Sequence, residues 1–135
     1  MDEELDVKEV IEALGKSWSA ETAYDPNDWS PENPARGQCA VSSLIMQDFF
    51  GGEIIRFVAE FDGRREKHYA NIINETTIDT TMSQFPADAV LVADSPDLVG
   101  FSSLRQRMLS DENTELRYEI LKHKVSLKID DSPEE

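Results

Sequence analysis

The sequence predicts a single domain of the α+β class, in which a helix carrying the one cysteine packs on a short antiparallel sheet. The chain has 135 residues, a length that fits one domain with a sizeable core. Helix-type apolar spacing lies before and after a group of strand-type patterns, which is typical of α+β domains. The predicted domain spans 1–135, and we expect its acidic ends, at about 1–5 and 128–135, to be flexible.

The first third of the chain predicts two helices separated by a loop. Apolar residues recur at i, i+3, i+4 and i+7 over 7–14, so a short helix is expected there, closed by Gly15. Three prolines and three aromatic residues within 17–36 indicate an ordered loop. A second helix is expected over 37–50, where a wide apolar stripe ends at a pair of glycines.

The middle of the chain predicts the antiparallel sheet. Residues 53–61 (EIIRFVAEF) and 67–74 are expected to form two strands joined by a polar turn. A short third strand is expected over 76–81. Residues 90–92 are expected to add another strand.

Two further helices are expected to complete the domain. The first lies near 103–109, and the second runs over about 112–125 with Asp111 as its N-cap. The apolar face of this longer helix is expected to contain Leu116, Ile120 and Leu121.

The charge of the chain excludes several classes of partner. It has 13 basic and 28 acidic residues, a net charge of −15. Nucleic-acid binding needs clustered Lys and Arg, so we expect no nucleic-acid partner. An anionic membrane surface would repel the chain for the same reason. About half of the excess charge lies in 1–12 and 130–135, which indicates solubilising termini or, alternatively, a site for a basic partner.

The compartment is expected to be the cytosol. No apolar run approaches the roughly 18 residues of a membrane span, and the N-terminus lacks the basic region of a signal peptide. The single cysteine, Cys39, excludes an internal disulfide framework and paired-cysteine zinc sites. A lone thiol stays reduced in the cytosol.

Cys39 is the first candidate for chemistry because it lies at the start of the second predicted helix. Unpaired N–H groups and the helix dipole at such a position favour a thiolate over a thiol. Gln38 carries an amide donor beside it, and this donor together with the Cys39 N–H would hold an oxyanion. The alternative is a buried structural cysteine.

His68 and Asp79 complete a possible catalytic triad. If the second and third strands pair through the Asn-Glu turn between them, the residue numbers of two paired residues add up to about 149. His68 then lies opposite position 81, and Asp79 is one diagonal step away on the same face. The carboxylate would then fix the imidazole tautomer and leave the other ring nitrogen facing the thiol. Asn71 is a rival for this orienting role, but its parity on the strand points it away from His68.

A thiol on a helix start, followed by His and Asp on adjacent strands, is the arrangement of papain-like and transglutaminase-like enzymes. It predicts a cysteine-dependent acyl-transfer enzyme that acts as an amide hydrolase, deamidase or transamidase on a peptide or small-molecule amide. In this reaction Cys39 is the nucleophile, His68 moves the proton and Asp79 orients His68. No cofactor is expected, since the chain contains neither a Walker loop nor a GxGxxG motif.

Two other interpretations stay open. One is a non-catalytic domain on the same scaffold that binds a peptide or small molecule. The other is a metal site made by the three candidate residues, which the absence of paired-ligand spacing disfavours. Within the loop, Trp18, Tyr24 and Trp29 either line the cleft or pack in the core, and Arg36 is either a substrate-binding cation or an ordinary surface residue.

Several short motifs also resemble one protein family. In order along the chain they are Gly37-Gln38-Cys39, Gln47-Asp48-Phe49-Phe50-Gly51-Gly52-Glu53, His68-Tyr69-Ala70-Asn71, Asp79-Thr80-Thr81 and Gln84-Phe85. Together they resemble the YunG-like family of bacterial proteins over roughly 14–125. The resemblance implies a single bacterial cytosolic domain with the thiol, imidazole and carboxylate at matching positions.

Overall fold

The computed structural model describes residues 6–130. It contains four α-helices and four strands, so the α+β class is confirmed. The predicted flexible ends at 1–5 and 131–135 lie outside the described residues, while 128–130 form the last turn of the final helix.

The helices follow the predicted order with shifted ends. Helix α1 is Val7–Ser17, α2 is Cys39–Phe50, α3 is Leu104–Leu109 and α4 is Glu112–Asp130. Asp6 caps α1 through a capping box with Glu9, whose carboxylate accepts the Asp6 N–H at 3.1 Å. Helix α1 continues through Gly15, where we expected it to end, because the glycine is exposed and nothing crowds the helix there.

The four strands form one antiparallel sheet in the order β3-β2-β1-β4. Strand β1 is Glu53–Phe61, β2 is Arg64–Ile73, β3 is Thr76–Ile78 and β4 is Val90–Asp94. Strand β2 begins three residues earlier than predicted, and β3 ends three residues earlier. Asn71 pairs with Ile78, so the predicted pairing sum of 149 is confirmed.

The helix that carries Cys39 packs on the sheet, as predicted. Helix α2 lies against β2 and β1, and α1 and α4 pack on α2 from the other side. The core between these elements is apolar and fully buried at its centre, and burying each such side chain contributes about 1.5–3 kcal/mol. Its innermost members include Val10, Leu14, Val41, Leu44, Ile45, Leu121 and Val125.

One predicted core face is partly wrong. Leu116 of α4 is 60% exposed, whereas Arg117 and Tyr118 beside it are buried. The buried side of α4 is therefore rotated from the predicted one and includes a charged residue. Asp111 accepts the Thr114 N–H at 2.9 Å, as expected of the N-cap.

A membrane-crossing helix is not present between residues 6 and 130, because each helix there is too short or too polar.

The loop between α1 and α2 is ordered. It contains two short 3₁₀ helices, Ala20–Thr22 and Pro26–Asp28, and an isolated bridge between Ser30 and Asn33. The indole N–H of Trp29 donates to the Pro34 carbonyl at 2.9 Å. The loop therefore has a defined shape where it approaches the start of α2.

Candidate functional site

Cys39 is the first residue of α2, and the backbone before it is tightly held. The carbonyl of Gly37 accepts the Tyr24 N–H at 2.9 Å. Gly37 has a φ of +74°, and a Cβ at this position would lie 2.8 Å from the Tyr24 nitrogen. Glycine alone permits this approach, which fixes the entry of the chain into α2.

Gln38, the predicted oxyanion donor, is fully buried beside Cys39. Its Oε1 accepts the hydroxyl of Thr22 at 2.7 Å, and its Nε2 donates to the Ser19 carbonyl at 3.0 Å. The contact with Ser19 uses one of the two N–H groups of the amide. The amide is thus fixed by the loop, and its role as an oxyanion donor stays a prediction for the remaining N–H.

His68 and Asp79 meet as the strand register predicts. Nε2 of His68 lies 2.7 Å from Oδ2 of Asp79, although the two residues are eleven positions apart. The second carboxylate oxygen accepts the Thr81 N–H at 3.2 Å. Phe85 packs edge-on against the imidazole, with ring centroids 4.9 Å apart. The imidazole is therefore fixed in both position and orientation.

The imidazole lies near the thiol. Burial opposes the charged ring and lowers the pKa of His68, but the hydrogen bond to Asp79 and the nearby Cys39 outweigh burial and raise this pKa to about 9. Nδ1 of His68 is buried and has no aligned hydrogen bond to any residue of 6–130. Because Asp79 occupies Nε2, Nδ1 is the ring nitrogen available to the sulfur. At neutral pH the ring is therefore charged.

An ion-pair network joins the loop before Cys39 to the strand that carries His68. Arg36 donates to both carboxylate oxygens of Glu66, at 2.7 and 2.6 Å, and to Asp28 at 2.8 Å. The hydrogen bond from Arg36 is the main cause that lowers the pKa of Glu66, and burial opposes it. Arg36 lines the cavity but is already paired with two carboxylates, so it serves as a structural cation here.

Gln84 connects the same loop to the segment that follows Asp79. Its Oε1 accepts the Gly37 N–H at 3.2 Å, and its Nε2 donates to the Thr81 hydroxyl at 3.2 Å. The side chain thus bridges the residue two before Cys39 and the residue two after Asp79.

A cavity of about 770 Å³ opens beside Cys39. Cys39 is half-buried and borders it, whereas His68 is fully buried behind the wall. Of the three candidate residues, Cys39 is therefore the one that a ligand in the cavity would meet first. Among the charged residues of the wall, six are cations and four are carboxylates. The cations are Arg36, Arg56, Arg64, Lys67, Arg107 and Arg117.

The chain matches the YunG protein family over residues 6–130. It belongs to that family. A relative from Bacillus subtilis (strain 168), called uncharacterized protein YunG, is 36% identical over 74 residues. This match covers 55% of the present chain and 58% of the relative. No solved structure matches the chain. The family resemblance seen in the motifs is thus confirmed.

Arg117 is a residue of the cavity wall that the sequence did not predict. It lies on α4, borders the cavity and is only 4% exposed. Burial lowers the pKa of Arg117, while the nearby Cys39, Asp111 and Tyr24 raise it. The signal in the sequence is its spacing, because Arg117 lies four residues before Leu121 and eight before Val125 on a buried helix face.

The aromatic residues of the loop divide between the two expected roles. Tyr24 lines the cavity, and its ring stands 5.8 Å from the Arg117 guanidinium carbon. Trp18 packs against the core, and its indole donates to the Ser42 hydroxyl at 2.9 Å. Trp29 is not among the described residues that form the cavity wall.

Two polar residues, Asn71 and Asp48, serve the scaffold. Asn71, the rival orienter, donates to the Ser43 carbonyl of α2 at 3.0 Å, away from His68. Asp48 is bound by Arg105 at 2.7 Å and by the Tyr118 hydroxyl. Asp48 lies nine positions after Cys39 on the helix, about 13 Å along the axis. Both side chains hold α2 in place.

Metal-ligand geometry is not found among His, Cys, Asp and Glu side chains within 6–130.

Proposed function

We propose that this protein is a cysteine-dependent acyl-transfer enzyme that hydrolyses, deamidates or transamidates an amide. The observation that carries the proposal is the 2.7 Å contact between Asp79 and His68, with Cys39 near the imidazole on the cavity wall. Cys39 is the nucleophile, His68 transfers the proton and Asp79 orients the imidazole.

The first half of the reaction starts from a charged pair. The Cys39 thiolate adds to the amide carbon, so an S–C bond forms and the carbonyl electron pair moves to the oxygen. Nδ1 of His68 then gives its proton to the amide nitrogen as the C–N bond breaks. An amine or ammonia leaves, and a thioester remains on Cys39.

The second half reverses the roles. Neutral His68 takes a proton from water, or from an acceptor amine, as that molecule attacks the thioester carbon. The C–S bond breaks, its electron pair returns to the sulfur, and an acid or a new amide leaves. Cys39 is again a thiolate and His68 is again charged.

The oxyanion of both steps would lie at the amino end of α2. The N–H of Cys39 faces no carbonyl within its own helix, because it belongs to the first turn. The remaining N–H of Gln38 would be the second donor, and the helix dipole adds to the stabilisation. One such donor is commonly worth about 10²–10³ in rate.

The arrangement is that of papain-like and transglutaminase-like enzymes, and we extend that assignment to the fold as part of the proposal. The cytosol is the expected compartment, since a lone thiol nucleophile stays reduced there.

The test measures how fast iodoacetamide alkylates Cys39 between pH 5 and 9, followed by mass spectrometry. In the wild-type protein we expect reaction at pH 6 to be at least about tenfold faster than in His68→Ala, because the charged imidazole supports the thiolate. Asp79→Asn should give an intermediate rate. His123→Ala and Asp88→Asn are the matched controls, since both replaced residues are exposed.

Catalysis itself is followed as amine or ammonia release from a panel of glutamine peptides and small amides, with Cys39→Ala as the blank. An alkylation curve that matches free cysteine in both wild-type and His68→Ala protein would contradict the proposal. The remaining interpretation would then be the non-catalytic binding domain.

A further inference from the structure

We propose that the cavity beside Cys39 binds a substrate that carries a carboxylate group, and that the Arg117 guanidinium anchors this group. The inference deepens the proposed function, on which it rests, by naming the chemical class of the amide. It follows from the charge of the cavity, from the burial of Arg117 and from the partners that Arg117 does and does not have.

The charge of the cavity is opposite to that of the chain. The chain as a whole carries 13 basic and 28 acidic residues. The cavity wall holds six of the basic residues and four acidic ones. A concave, partly desolvated surface of this kind attracts anions more strongly than an open surface does.

Half of these cations are already neutralised by carboxylates. Arg36 and Arg64 both pair with Glu66, at 2.6 and 2.8 Å, and Arg56 pairs with Asp94 at 2.7 Å. The carboxylates in these three pairs, Glu66 and Asp94, both lie on strands of the sheet. On the side of the cavity formed by α3 and α4, the arginines have no such partner among the described residues.

Arg117 has no carboxylate within salt-bridge distance among residues 6–130. The nearby Asp111 accepts the N–H and the hydroxyl of Thr114 through Oδ2, both at 2.9 Å, and lies beyond salt-bridge distance of Arg117. A buried arginine without a counter-charge is costly unless a ligand supplies one. The position of Arg117 on the cavity wall makes a bound anion the natural counter-charge.

The Arg117 guanidinium also has N–H groups without a hydrogen-bond partner among the described residues. It gives one N–H to Asn113 at 2.9 Å, one to the Thr22 carbonyl at 3.2 Å and one to the Thr114 hydroxyl at 3.4 Å. Of the five N–H groups that arginine carries, one on each terminal nitrogen is left. A pair of N–H groups on one planar ion matches the two oxygens of a carboxylate.

The anchor lies close to the nucleophile. Thr22 joins the two, since its carbonyl accepts from Arg117 and its hydroxyl donates to Gln38, the residue before Cys39. Arg107 also borders this side of the cavity, and the one hydrogen bond that its guanidinium makes to the described residues goes to the Asp97 carbonyl. A carboxylate on Arg117 would thus lie a few bonds from an amide presented to Cys39.

The experiment compares two reagents that deliver the same reactive carbon to Cys39. Iodoacetate carries a carboxylate and iodoacetamide does not. We expect the ratio of the iodoacetate rate to the iodoacetamide rate at pH 7 to fall about tenfold in Arg117→Gln. The loss of one hydrogen bond to a charged group typically weakens binding by about this factor. Arg65→Gln is the matched control, because it removes the same charge from an exposed site outside the cavity.

Two further measurements keep the inference testable if Arg117→Gln does not fold. Arg107→Gln should lower the same ratio, since it removes the second cation of this side. Calorimetric titration of the Cys39→Ala protein with succinate, succinamide and inorganic phosphate should show binding of succinate alone. This titration requires no reaction at the thiol.

The outcomes separate the inference from the proposed function. An unchanged reagent ratio in the variants, or equal binding of succinamide and succinate, would overturn the carboxylate anchor. Preferential binding of phosphate would overturn it as well. If Cys39→Ala protein binds succinate but the wild-type protein releases no amine from any amide, the carboxylate anchor is supported and the proposed catalysis is overturned. If the wild-type protein releases amine from neutral amides only, the catalysis is supported and the carboxylate anchor is overturned.

Discussion

Nε2 of His68 lies 2.7 Å from Oδ2 of Asp79, and this contact decides which side of the imidazole faces the thiol. The aspartate approaches from the end of β3, so the ring is held from the neighbouring strand and Nδ1 is left for Cys39. The arrangement has consequences for stability as well as for chemistry, because the ring is buried and its charge depends on both neighbours.

The stability of the protein should depend on pH through His68. Burial opposes the charged ring, yet the contacts with Asp79 and Cys39 raise its pKa from 6.5 to about 9. A raised pKa means that the folded state favours the charged form. The stabilisation is therefore fully present below about pH 6.5 and is lost as the pH rises through about 9. It amounts to at most about 3 kcal/mol.

Urea denaturation of wild-type and Asp79→Asn protein between pH 6 and 10 tests this pH dependence of stability. We expect the difference in free energy of unfolding to be largest near pH 6 and to shrink towards pH 10. Subtracting the two curves cancels the repulsion of the acidic surface, which both proteins share. A difference that stays constant over the whole range would contradict the assignment.

The Arg36–Glu66 pair should matter for both stability and reactivity. Glu66→Gln leaves Arg36 with Asp28 alone and loosens the link between the loop before Cys39 and β2. The pair is partly buried, with side-chain exposures of 12% and 27%, so we expect a loss of about 1–2 kcal/mol. Cys39 alkylation should also slow, because the sulfur and the ring are no longer held together as firmly.

Glu60→Gln is the control for this variant. Glu60 pairs with Arg65 at 3.1 Å, but the side chains are 43% and 68% exposed. Such a surface pair typically contributes less than about 1 kcal/mol. Equal losses for the two variants would show that the Arg36 network does not hold the site.

The sheet register was the most predictable feature of the site. The turn Asn74-Glu75 leaves little freedom, and apolar alternation on the strand before it settles which residues face inward. These two constraints place Asp79 near His68 without any knowledge of the rest of the fold. The meeting of the imidazole with Cys39 depends on how α2 packs on the sheet, so only the pattern of candidate residues indicated it.

The start of β2 shows where composition misleads. Arg64, Arg65 and Glu66 look like a polar turn, yet they continue the strand. Asp62 and Gly63 make the turn by themselves, with φ of 51° and 72°. Positive φ at both central residues is the conformation that suits a two-residue hairpin, and Asp-Gly is a common sequence for it. The Asp-Gly signal was therefore more informative than the charge of the residues after it.

The face of α4 shows a second limit. Counting apolar residues selects Leu116, which is exposed, and passes over Arg117, which is buried. Arg117 is held by hydrogen bonds to Thr22 and Asn113 beside a cavity, and no local pattern reveals a cavity formed by distant segments. The residue that carries the proposed carboxylate site is thus the one that hydrophobic periodicity is least able to find.

Two glycine substitutions should have opposite effects. Gly37→Ala places a Cβ 2.8 Å from the Tyr24 nitrogen at a φ of +74°, so we expect a loss of about 1–3 kcal/mol and slower alkylation of Cys39. Gly15→Ala meets nothing within 4 Å inside α1 and should stabilise the protein by about 0.8–1 kcal/mol. Thermal denaturation distinguishes them. Destabilisation by Gly15→Ala would show that α1 is not a regular helix at this position.

The role of Gln38 can be separated from its structural contacts. Gln38→Ala removes the predicted oxyanion donor together with the hydrogen bonds to Ser19 and Thr22. Thr22→Val keeps this donor and removes the 2.7 Å contact to Oε1 together with the two contacts between the Thr22 hydroxyl and the Ser19 backbone. If the amide donates to the oxyanion, Gln38→Ala should lower kcat by about 10²–10³ on the best amide of the substrate panel. Thr22→Val should cost about 1 kcal/mol of stability with a much smaller change in kcat. Both proteins are compared at a temperature where urea denaturation shows them fully folded. Equal losses of kcat in the two variants would mean that Gln38 acts only by fixing the start of α2, and the Cys39 N–H would then be the oxyanion donor that remains.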